Sequence, residues 1–144
     1  MKTNKMQTEH IKYSEGQWFA IPLNNGGYAL GIIVRGSYKT KGGLGYFFGP
    51  RYEDIPDGNE TWHKKPSDAI LMAWFGDLGI ITGRWPLIST TRSFNRHEWS
   101  VPGFRSIDPV YPAKGWLIEY NTQSNKMEMI RRTYRDAVEL PGLP

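Results

Sequence analysis

The side chains able to do acid–base or metal chemistry are few and scattered. The chain of 144 residues has three histidines, His10, His63 and His97, and no cysteine. No two histidines stand at His-x-His or His-x-x-x-His spacing. A metal site would have to assemble in space from His63, His97 and the acids around residues 53–60. Without cysteine, nucleophilic catalysis would need a serine or threonine, and the Gly-x-Ser-x-Gly elbow is absent. Glu98 beside His97 is a neighbour in sequence, which does not make a dyad. Lys39-Thr40-Lys41-Gly42-Gly43-Leu44-Gly45 superficially suggests a phosphate cradle. It lacks Gly-Lys-Ser/Thr and opens no convincing helix, so it reads as a mobile loop. The carboxylate pairs Glu53-Asp54 and Asp57-x-x-Glu60 could serve as acid and base only if one were desolvated, and nothing in the sequence predicts that burial. No catalytic residue, metal or cofactor is assigned on this basis.

What remains is charge placed for binding. The formal net charge is +4, mild for a nucleic-acid binder and compatible with an ordinary solvated surface. Arg35, Lys39 and Lys41 alongside Tyr38 and Tyr46 have the residue types that stack bases and contact phosphates, so a small nucleic-acid-binding β-barrel stands as an alternative. The charges are unevenly distributed. Residues 1–48 carry six Lys/Arg against two acids, and residues 49–80 carry three against six. Two candidate partner-binding surfaces follow. One is an acidic loop with Arg51, Tyr52, Glu53, Asp54, Asp57, Glu60 and Trp62, suited to a basic cleft. The other is basic, with Tyr38, Lys39 and Lys41 joined by Arg92, Phe94, Arg96 and His97, and suits an acidic surface. Trp62 and Trp99 fall on loops and are candidate anchors, while Trp18, Trp74, Trp85 and Trp116 fall in strands and read as core.

The elements that must position these residues read as strands. The strongest signal is the pair of apolar runs 17–23 and 27–35 joined by Asn24-Asn25-Gly26-Gly27, residues that tolerate positive φ and mark a hairpin. Gly31 suggests a bend or a close backbone approach. Gly45 to Gly49 is a short bulky strand, and Pro50 to Pro66 a long irregular connection of the kind often used for function. Residues 67–75 are apolar on both faces and bounded by Pro66 and Gly76, favouring a buried strand over a helix. Gly76 to Gly79 is a turn, and Trp85 to Thr90 a further strand. Residues 91–114 read as loop, Gly115 to Tyr120 as a strand, and Lys126 to Thr133 as its hairpin partner. Residues 134–140 could form a short helix. Six or seven such strands predict an all-β, mostly antiparallel domain, either a small partly open barrel or an SH3-like sandwich, with at most a short helix. The whole chain, 1–144, suits one domain, with residues 1–13 a flexible leader. No apolar run is long enough for a signal peptide or a membrane span, which makes a cytoplasmic protein without membrane association the default.

Three motifs in order carry a resemblance. They are Gly16-Gln17-Trp18-Phe19-Ala20-Ile21-Pro22-Leu23 with Gly27-Tyr28-Ala29-Leu30-Gly31, then Gly83-Arg84-Trp85-Pro86-Leu87-Ile88, then Val101-Pro102-Gly103-Phe104 leading to Gly115-Trp116. Together they resemble the immunity protein 26 family of bacterial polymorphic toxin systems over residues 14 to 121. The family often has Asp where this chain has Gln17, and an aromatic residue where it has Leu30. The resemblance implies a mostly-β protein that binds a cognate toxin domain and protects its producer. It supplies no catalytic residues. Some members carry a phosphotriesterase label. A metal-dependent hydrolase is therefore the enzyme alternative, and no His-rich metal set here supports it.

Overall fold

The computed structural model describes residues 10–141. The expected hairpin is present. Strands β1 (Trp18–Pro22) and β2 (Tyr28–Ser37) pair antiparallel, with Trp18 opposite Ile32 and Pro22 opposite Tyr28. Gly26 N–H donates to Leu23 O at 3.0 Å and Leu23 N–H to Gly27 O at 2.9 Å, closing the turn. Gly26 and Gly27 sit at φ +97° and +78°, a backbone that a β-carbon disfavours. Gly31 makes the close approach its sequence suggests, since the ring of Phe19 lies where its β-carbon would be.

β3 (Gly42–Tyr52), β4 (Leu71–Gly76) and β5 (Leu87–Ile88) complete a five-stranded sheet in the order β4-β3-β2-β1-β5. β3 is much longer than the short strand expected at Gly45 to Gly49. Gly42 and Gly43 are strand residues rather than part of a loop. A β-carbon on Gly43 would collide with Arg35 O, and one on Gly42 with Phe75 O, so these glycines let the backbones of β2, β3 and β4 close on one another. The irregular connection accordingly starts only after Tyr52. The strand reading of residues 67–75 holds from Leu71 onward, preceded by a 3-10 turn at Pro66–Asp68, but β4 is a half-buried edge strand rather than one buried on both sides, because only β3 pairs with it. Two single helical turns punctuate the chain, α1 (Gly58–Thr61) and α2 (Leu78–Ile81).

A second sheet, in the order β6-β7-β8, comprises β6 (Phe104–Ile107), β7 (Lys114–Tyr120) and β8 (Met129–Asp136), all antiparallel. β6 lies in the stretch read as loop. Its four residues carry little local strand signal and gain their ladder from β7, a non-local partner. β8 extends through residues 134–136, where a short helix was expected, and only a 3-10 turn at Ala137–Glu139 follows. The described residues thus form eight strands in two sheets, with no closed barrel and no long helix. None of their helices is long and apolar enough to cross a membrane.

Strand alternation distributes the core over both faces of the larger sheet. One face carries Trp18, Ala20, Leu30, Ile32, Val34, Leu44, Tyr46 and Phe48, and closes over Trp99. Trp99 is 1 % exposed and meets the rings of Trp18, Tyr46 and Phe48 edge-on, so it is a core residue and not the surface anchor its loop position suggested. The opposite face carries Phe19 and Ile33 under Tyr13 and Ile80. Of the expected flexible leader, residues 1–9 lie outside the described residues. Ile11 N–H donates to Ile81 O at 3.0 Å, and Tyr13 is buried with its hydroxyl donating to Asp77 Oδ2 at 2.7 Å. Burial first, then the hydrogen bond to and charge of Asp77, push the Tyr13 hydroxyl well above a tyrosine's ordinary pKa.

Candidate binding surfaces

The β2–β3 pair separates the two candidate surfaces. Tyr28 stands opposite Tyr52 at one end and Ser37 opposite Gly42 at the other. Ten strand residues at about 3.3 Å each put roughly 30 Å between those ends. The acidic connection leaves one end, and the basic tip closes the other.

The acidic end is built residue by residue from local chemistry. Arg51 and Tyr52 are the last residues of β3. Glu53 and Asp54 follow in an exposed bend. Asp57 caps α1, its Oδ1 accepting from Asn59 N–H at 3.0 Å, which satisfies one of the donors a helix start leaves free. Glu60, inside the turn, accepts from the Tyr52 hydroxyl at 3.1 Å. Lys64 closes the loop from the other side, donating to Gly49 O at 3.1 Å with its ammonium 5.5 Å from the Tyr52 ring centre. Thr61 is buried, its Oγ1 2.7 Å from Thr90 Oγ1. Trp62 ends the turn and is 55 % exposed, and its indole N–H donates to Thr91 Oγ1 at 3.3 Å. Glu53, Asp54, Asp57 and Trp62 therefore present outward from a loop whose own backbone is tied down.

Arg92 does much of that tying. Its Nη1 donates to Lys64 O at 2.6 Å and to Thr61 O. Its guanidinium also lies 5.4 Å from the Trp18 ring centre and 5.5 Å from that of Trp99. The charge bridges two core indoles to carbonyls at the end of α1 and just after it. Arg92 thus belongs to the acidic end as an internal brace rather than to the basic surface. No local sequence signal identifies this role, because Thr61, Lys64 and Trp18 are all distant along the chain.

The remaining basic residues do not form one patch with it. Tyr38 and Lys39 lie in the β2–β3 turn, where Ser37 N–H donates to Thr40 Oγ1 at 3.0 Å, and Lys41 has φ +58°. Tyr38 is exposed, with the Lys12 ammonium 5.7 Å from its ring centre. Phe94 is half-buried and packs against the core cluster that contains Trp99. Arg96 sits elsewhere, its Nε 3.0 Å from Glu15 Oε2 and its Nη2 donating to Asn125 Oδ1 at 2.7 Å. His97 follows it, exposed. The proposed stacking set fares worse, because Arg35 and Tyr46 are buried and present nothing to a nucleic-acid strand. Burial raises the Tyr46 pKa, partly offset by the Ser100 side chain and then by the charge of Arg35, while the Tyr46 hydroxyl itself donates to Ser100 O at 2.6 Å. Among the described residues, no three acidic or histidine side chains gather where they could hold a metal ion.

Comparison with known proteins gives one match. The model of a family described as immunity protein 26 matches residues 14–116, more than half of the chain. No curated protein and no solved structure matches it.

Proposed function

Since the chain belongs to the immunity protein 26 family, whose members neutralise toxins and are typically non-enzymatic, we propose that it acts by stoichiometric occlusion of a cognate bacterial toxin domain, in the cytoplasm, through its acidic end. The observation that carries this reading is the exposed Trp62 held on a braced loop beside Glu53, Asp54 and Asp57. A fixed aromatic ring loses little freedom on binding and supplies a large desolvated contact. The acids around it suit a basic active-site cleft and accelerate encounter. A tight interface of ~1,600 Å² would extend beyond this loop to Arg51, Tyr52 and exposed Ile55.

The test is binding to the cognate toxin domain, with the toxin's activity as a second readout. Changing Glu53, Asp54, Asp57 and Glu60 together to Ser leaves a good capping side chain at position 57 and should keep the loop folded. This variant should slow association at low salt, with the deficit shrinking as salt rises. Trp62→Ala should instead speed dissociation by ~30-fold or more, the effect of an anchor residue. Unaltered rates in both variants would move the interface elsewhere, with Tyr38, Lys39 and Lys41 at the opposite end the next surface to change. Turnover of a phosphotriester, lost with a chelator and restored by Zn²⁺ or Mn²⁺, would replace this reading with the hydrolase.

A further inference from the structure

A cavity of about 240 Å³ opens beside the β2–β3 pair, lined by Arg35, Arg96, His97, Ser100, Thr122 and Gln123. Arg35 is 4 % exposed. Among the described residues no carboxylate lies within ion-pair distance of it. Its guanidinium is held by two backbone carbonyls, Nε donating to Thr122 O at 3.1 Å and Nη1 to Val34 O at 2.6 Å. Nη2 has no hydrogen-bond partner among the described residues and is not fully sealed from solvent, in a side chain that lines the cavity.

Arg96 lines the same cavity and also has an N–H face to spare. Its Nε is in ionic contact with Glu15 without a hydrogen-bonding alignment, Nη2 serves the 123–125 turn, and Nη1 has no partner among the described residues. Two guanidiniums thus line one cavity, with a single carboxylate, that of Glu15, in contact with Arg96 alone, and they repel. Burial, followed by the charge of Arg96, lowers the Arg35 pKa, and Glu15 opposes that only in part. An isolated buried cation is costly unless an anion or polar groups compensate it. The carbonyls hold Arg35 in place but supply no charge.

We propose that this cavity is a binding site for one oxyanion, a carboxylate or a phosphate group, received between Arg35 Nη2 and Arg96 Nη1 with His97 and Ser100 at its mouth. The two free N–H faces suit the two or three oxygens of such a group, and charge-assisted contacts in a partly closed site exceed those on an open surface. The site is separate from the acidic end and does not depend on the toxin reading.

The experiment titrates the whole protein with sodium phosphate, with sodium acetate, and with sodium chloride at matched ionic strength. Chemical shifts of the arginine side chains and of the backbone at residues 96–100 and 122–123 are followed, together with the thermal midpoint. A saturable response to phosphate, acetate or both, absent with chloride, is expected, and the responding anion identifies the source. Arg96→Gln should weaken that binding by at least ~10-fold, the loss of a charged hydrogen bond. Arg35→Met should do the same. If Arg35→Met does not fold, Arg35→Lys, which keeps the charge and loses the fork, carries the test. A response no different from chloride overturns the proposal, as does binding that persists undiminished in Arg96→Gln.

Discussion

Replacing Arg92 with Met removes the guanidinium and leaves a shorter, unbranched apolar side chain beside Trp18 and Trp99. Two hydrogen bonds from a charged donor are lost, to Thr61 O and Lys64 O. Each is worth ~1.5–3 kcal/mol in a buried setting. Thr61 is buried and Lys64 half-buried, so water recovers some of that at Lys64 O alone and a figure toward the lower end applies. The two cation–π contacts add ~0.5–2 kcal/mol, of which the sulfur of Met returns ~0.3–1.5 kcal/mol against the same rings. Relief from holding a charge beside the core offsets a further part. The net loss is about 2–4 kcal/mol. Urea unfolding followed by the fluorescence of the six tryptophans reads this as a lower midpoint at unchanged slope. Arg92→Lys keeps the charge, but a single ammonium lacks the flat fork that stacks between two indoles, so an intermediate loss is expected. A loss below ~1 kcal/mol for Arg92→Met would refute the brace, since neither the carbonyl contacts nor the indole contacts could then be carrying stability.

The first turn offers a paired comparison. Gly26→Val meets open space and should cost only the strain of positive φ, ~1–2 kcal/mol, whereas Gly27→Val also drives a side chain into Tyr52 O, 2.6 Å from the ideal β-carbon, and should cost clearly more in the same unfolding assay. Trp99→Ala should destabilise by ~3–5 kcal/mol as a core truncation, while Trp62→Ala should change stability by no more than ~0.5 kcal/mol, so a reversed order by calorimetry would contradict the assigned burial. Tyr13→Phe leaves Asp77 without its hydroxyl donor and should cost ~1.5–3 kcal/mol. Because the folded-state pKa of Tyr13 is raised, its contribution is fully present below the ordinary tyrosine value of 10.0 and is lost as the pH rises beyond it. Alkaline unfolding titrations should therefore show the wild type and Tyr13→Phe converging in stability above that pH.

The sequence by itself determined the elements whose signals are local. Asn24-Asn25-Gly26-Gly27 must turn, because few other stretches accept two successive positive φ angles. The alternation around it must be strand, and Trp18 and Phe19 must point to opposite faces. The order of motifs from Gly16 to Trp116 was enough to resemble the family whose model matches residues 14–116.

Tertiary structure decided whatever depends on partners distant in sequence. β6 exists because β7 pairs with it, and Gly42 and Gly43 belong to a strand because neighbouring backbones need the space a β-carbon would fill. Trp62 and Trp99 both sit on loops, yet one projects from a braced turn and the other lies beneath the sheet. The basic residues illustrate the same limit. Arg35, Arg92 and Arg96 are alike in type, but each is placed by contacts 27 to 87 residues away along the chain. One lines a cavity, one braces the acidic end and one pairs with Glu15. Charge is a property of composition, whereas its exposure is a property of packing, and packing decides whether a charge can meet a macromolecular surface, only a small group entering a cavity, or its own chain.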